Sequence, residues 1–222
     1  MVGTLVGVSL GKGLYRATAR RFPAFATGFL NAFDPDPSAA GAKAAQMAEE
    51  RKDDHTYHDT VLRSFRQMME AVDESVVPTL GYMAGQYARA NKRPDAIFRG
   101  LGRLLCDLEE GELEQLKSML RLAATAFREQ PEIGLILDRK GQLVASAREE
   151  VFYERKVIPD AQRLFMLMKR DGLGGNIRTD GAVAGAQARM PDRELSLDAI
   201  TASRVREIVD PSDGSSVPQS RV

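Results

Sequence analysis

Between Asp53 and Phe127 apolar residues return every three or four positions, and no other feature restricts the fold so sharply. The first stripe holds Val61, Leu62, Phe65, Met68, Met69 and Val72, behind Asp53 or Asp54, either of which can cap a first turn. A second, Leu80, Met83, Ala84 and Tyr87, follows Pro78, a residue tolerated where a helix begins. The segment "NKRPD" interrupts it, and Pro94 opens a third stripe with Ile97, Phe98, Leu101, Leu104, Leu105 and Leu108. A fourth follows Gly111, with Leu113, Leu116, Met119, Leu120 and Ala123. One amphipathic helix alone leaves its stripe in water, so four in succession predict a bundle. Its expected core is Phe65, Met69, Leu80, Met83, Phe98, Leu101, Leu105, Leu116 and Leu120.

Beyond Pro131 the period changes. "IGLILDRKGQLVASA" has two apolar runs around Asp138-Arg139-Lys140-Gly141, which predicts a β-hairpin at 133–146. A further helix is expected from near Ile158 to Lys169, carrying Leu164, Phe165, Leu167 and Met168 and stopping at Gly172. The fold class is therefore mainly α: a helical bundle of about four to five helices, one small β-hairpin and a flexible C-terminal tail. Four segments are expected. Residues 1–36 are a basic arm containing Gly and Phe, and 37–52 an Ala- and charge-rich connection after the Pro35–Pro37 break. Residues 53–172 are the helical core with its hairpin. Residues 173–222 hold a Gly-rich linker, a short helix capped by Ser196 with Leu197, Ile200, Val205 and Ile208 on one face, and a disordered tail.

Charge is balanced overall, with 31 basic and 31 acidic residues, but not evenly spread. From Met1 to Phe33 there are Lys12, Arg16, Arg20 and Arg21 and no acid, which leaves the remainder at −4. The first uncharged run, Met1–Gly11, is short of the roughly 20 residues that span a bilayer. Its charges also follow rather than precede it, the reverse of a secretory signal. The one cysteine, Cys106, forms no intramolecular disulfide, which fits a reducing compartment. A cytoplasmic protein, peripheral to the membrane if it meets one at all, is the expectation.

Few residues carry chemistry on their face. A phosphate loop needs Gly, four residues, then Gly-Lys-Ser/Thr; before Gly11-Lys12 the first glycine is replaced by Val6, and Gly13 stands where the hydroxyl belongs. His55 and His58, beside Asp54 and Asp59, have spacings compatible with metal ligation, yet a helix start near solvent explains them as capping and surface residues. Cys106 lies among leucines beside Asp107, Glu109 and Glu110, a field that disfavours thiolate. Glu112 and Glu114 suit the first turn of a helix. No catalytic residue, cofactor or metal is expected.

The arm is the remaining candidate. Gly3, Gly7 and Gly11 recur every four residues, a small-residue ridge that permits close helix approach. Lys12, Arg16 and Arg20 continue the spacing, and Phe22, Phe25, Phe29 and Phe33 supply apolar surface. These seven residues are the predicted interaction site of a non-enzymatic scaffold or interaction protein. Its expected partner is another protein, a second copy of the chain or an anionic membrane surface. The alternative is a winged-helix-like regulator reading nucleic acid with Arg139 and Lys140 at the hairpin tip. Residues 93–147 hold eight basic and nine acidic residues, so phosphate attraction is weak and nucleic acid is not the expected partner.

Overall fold

A computed structural model describes residues 18–129, 134–137, 143–146, 151–154, 161–174, 195–197 and 199–211. Among these the chain is mainly helical. The helices are α1 (18–31), α2 (Pro37–Glu50), α3 (His55–Glu70), α4 (Val77–Arg89), α5 (Ala96–Asp107), α6 (Glu112–Glu129), α7 (Ala161–Arg170) and α8 (Ala199–Val209). The chain divides into two compact units: Met1–Phe98 with Leu105–Glu110, and Arg99–Leu104 with Gly111–Val222.

In the first unit, capping chemistry sets most of the boundaries. Asp36 accepts from Ser38 N at the head of α2, and Asp54 accepts from Thr56 N and Tyr57 N at the head of α3. Asp73 caps a single 3-10 turn, Glu74–Val76, that leads into α4, where Pro78 occupies the first turn. Asp95 accepts from Phe98 N and opens α5. The Ala- and charge-rich connection expected at 37–52 is helical over Pro37–Glu50, because a capped, alanine-rich run has high helix propensity.

The core of this unit holds Met68, Leu80, Met83, Ala84, Tyr87, Phe98, Leu105 and Leu108, joined by Phe25 and Phe33 of the expected arm. On α3 the buried face differs from the hydrophobic stripe. Thr60, Ser64 and Met68 are buried, Phe65 and Met69 are half-buried, and Leu62 and Val72 are 60% and 64% exposed. Two neighbours cause this: α4 packs on α3, while Phe22 and Phe25 of α1 reach the Phe65 ring edge-on at 6.3 and 6.4 Å. Leu62 falls beyond the reach of either.

In the second unit, Leu113, Leu116, Met119 and Leu120 of α6 are buried, as are Leu164, Phe165 and Met168 of α7 and Val205 and Ile208 of α8. Gly111 (φ +83°) and Gly172 (φ +73°) adopt the left-handed backbone that glycine tolerates best, before α6 and after α7 respectively. Three carboxylates with buried side chains are held by arginines: Asp171 by Arg103 and Arg170, Asp210 by Arg121, and Glu112 by Arg163.

Among the described residues four strands form one antiparallel sheet: β1 (Gly134–Leu137), β2 (Leu143–Ser146), β3 (Val151–Glu154) and β4 (Leu195–Leu197), in the order β3-β2-β1-β4. A lone hairpin is therefore too small a description. Ser196 belongs to β4, paired with Ile136, and so does not cap α8; Ile200 is 73% exposed rather than part of a buried face. The linker at 175–194 and the tail at 212–222 lie outside the described residues.

Candidate functional site

The predicted interaction residues fall on α1 and on the segment before it. Lys12 and Arg16 lie outside the described residues. Of the remainder, Arg20 is exposed and pairs with Glu74 at 2.7 Å, and Phe22 is 49% exposed. Phe25 is buried, Phe29 half-buried and Phe33 buried, with the Phe29 and Phe33 rings 5.4 Å apart. Phe33 shares a cluster with Ala32, Ala40, Met47 and Ala88. The expectation of an open, Phe-rich patch is corrected here, because three of the four rings belong to the packing of the chain itself. Phe22 alone remains largely outside.

Three glycines explain how α1 gets so close. A Cβ on Gly28 would lie 1.9 Å from the Pro78 carbonyl oxygen, and one on Gly81 would lie 2.0 Å from that of Phe25. On Gly85 it would meet the Phe29 oxygen at 2.5 Å and the Ala32 Cβ at 2.6 Å. Backbone therefore rests on backbone where α1 crosses α4, a distance only glycine allows. The sequence signal for this crossing is "LGYMAGQ", whose two glycines stand four apart, the same spacing as the more conspicuous ridge at Gly3, Gly7 and Gly11.

Polar contacts fasten the first described turns of the same helix. Arg21 Nη1 donates to the Met68 and Met69 carbonyls at 3.0 and 2.9 Å, capping the negative end of α3. Thr18 Oγ1 lies 3.4 Å from Met69 Sδ, so the first described turn of α1 lies beside the last turn of α3. At the other end of the unit Arg51 donates to the Ala88 and Arg89 carbonyls and caps α4 in the same way. Backbone donors from Thr56 and Tyr57 hold the Asp54 carboxyl below its ordinary value, helped by the Asn91 side chain and Arg51. Lys43 does the same for Asp34, and burial pushes the Tyr57 hydroxyl up against the opposing charge of Arg51.

The remaining candidates have ordinary surroundings. His55 is exposed, and His58 Nε2 sits 2.6 Å from the Lys52 carbonyl oxygen. Among the described residues no group of three or more His, Cys, Asp and Glu is arranged to hold a metal. Cys106 is buried, its thiol 3.3 Å from the Gln67 carbonyl oxygen. Arg139 and Lys140 lie outside the described residues. Among those residues no helix is long and apolar enough to cross a membrane. Compared with protein-family models, with curated proteins and with solved structures, the chain matches none.

Proposed function

We propose that the chain is a non-enzymatic interaction protein whose residues 1–17 contact a helix of another protein or of a second copy, while α1 roots that segment in the first unit. The observation that carries this reading is the anchorage of α1 by the Gly28, Gly81 and Gly85 crossing and the Arg21 cap. A segment tethered to a buried helix transmits its attachment to the whole unit. The chain already brings two helices into backbone contact through glycines spaced by four, and Gly3, Gly7 and Gly11 repeat that spacing. Burial of Phe25 and Phe33 removes much of the apolar surface that membrane insertion needs, which favours a protein partner over a lipid one.

The test removes residues 1–17 and, separately, residues 1–33. Loss of 1–17 leaves the helical fold intact and lowers the mass measured by light scattering; loss of 1–33 takes away part of the core and unfolds the first unit. Salt-sensitive retention of the full chain by anionic vesicles, lost with residues 1–17, would move the reading to a membrane surface. An unchanged mass with no retention would sink both.

A further inference from the structure

The outer face of α3 carries a second pattern. His55, Asp59, Leu62, Arg66 and Glu70 follow one another at steps of four, three, four and four, so they line one side of the helix, and all five are exposed. Leu62, at the centre, is 60% exposed. Phe22, edge-on to Phe65, adds a second exposed apolar side chain near this face.

The order of the charges is self-complementary. Lay the helix antiparallel to itself, with a twofold axis at residues 62 and 63. Asp59 then stands opposite the partner's Arg66, and His55 opposite the partner's Glu70, each pairing occurring twice. In this register Leu62 stands level with the partner's Arg63, and the two Leu62 side chains flank the axis on either side. Within one chain these charges lie poorly. Glu70 occupies the last turn of α3, where the helix dipole disfavours an acid, and the first turn holds no acid. Among the described residues neither Arg66 nor Glu70 forms an ion pair, although they stand four apart. An antiparallel partner brings its positive N-terminal end to Glu70 and removes the conflict.

We infer that α3 is the seam of a twofold homodimer, with Asp59 and Arg66 as its reciprocal charge pair and Leu62 at its centre. None of these residues belongs to the segment 1–17, and the inference is tested independently of that segment. Asp59 also accepts from Arg63 Nε at 2.9 and 2.8 Å, and a bidentate carboxylate retains lone pairs for a second guanidinium. The helix is about 24 Å long by its 16 residues, so the seam is below the size of a standard interface. A weak, concentration-dependent dimer in roughly the micromolar range follows.

Charge exchange in the full chain provides the test. In Arg66→Glu, each Asp59 faces the partner's new acid; in Asp59→Arg, each Arg66 faces a new base. Each variant alone should dimerise about tenfold to a hundredfold more weakly, because two attractive pairs become repulsive. Mixed in equal amounts, the two complement each other at both positions, and sedimentation should recover the wild-type mass as a heterodimer. A wild-type chain that stays monomeric into the high micromolar range overturns the inference. So does a dimer that neither variant weakens, or one that mixing does not restore. A dimer lost on deleting residues 1–17 but indifferent to both charge variants assigns self-association to the arm and rejects the α3 seam.

Discussion

Replacing Gly81 with Ala isolates the contact on which the first unit depends. A Cβ there starts 2.0 Å from the Phe25 carbonyl oxygen, 2.9 Å from its carbon and 3.0 Å from Phe29 N, all of them backbone atoms that cannot rotate away. Ordinary contact begins near 3.4 Å, so α1 and α4 must part by about 1.4 Å. That separation loosens Phe25 and the cluster around Ala32 and Phe33. Overpacking of a core costs about 1–3 kcal/mol, and strain against backbone belongs at the upper end. Alanine returns close to 1 kcal/mol of helix propensity, so the net loss is about 1–2 kcal/mol. Gly41, on α2, is the control: nothing lies within 4 Å of where its Cβ would stand, and Gly41→Ala should gain about 0.5–1 kcal/mol. Urea titration followed by far-ultraviolet circular dichroism measures both. If Gly81→Ala proves as stable as the parent while Gly41→Ala gains, the backbone crossing of α1 and α4 is wrong.

Two further outcomes concern the same unit. Asp34 and Asp54 both have folded-state values depressed below the ordinary 3.8, so their stabilisation is full above that value and is lost as pH falls through the lower, folded one. Stability should be level from neutral to about pH 5 and decline below about pH 4, and Asp54→Asn should flatten part of that decline in acid titrations of the unfolding midpoint. Ser64 is fully buried and its Oγ has no hydrogen-bond partner among the described residues, so Ser64→Ala removes an unsatisfied group and improves helix propensity. It should stabilise by about 0.5–1.5 kcal/mol in the same urea titration, and a loss would show that the hydroxyl is satisfied in solution.

Where the sequence was legible, one kind of physics acted at a time. The stripe of α4 lies between neighbours on one side, and Leu80, Met83, Ala84 and Tyr87 are all buried as their spacing requires. Asp54 acts through its side chain on the adjacent amides, and Pro78 and Gly111 through their own backbone, so the starts of α3, α4 and α6 follow from local chemistry alone. On α3 two neighbours compete for the helix, and hydrophobicity cannot say which arc each one covers. Thr60 and Ser64 go inside while Leu62 and Val72 stay out. Nor does a window of sequence reveal that phenylalanines in an acid-free segment belong to the core, since their partners lie far along the chain: Phe65 beside Phe25, Ala88 with Phe33. Distant pairing also hides β4, whose three residues take their register from β1 and not from their own pattern. The exposed stripe on α3 is the counterpart of these cases. His55, Asp59, Leu62, Arg66 and Glu70 form a regular helical series that no neighbour among the described residues covers, and such regularity is what a second molecule would impose.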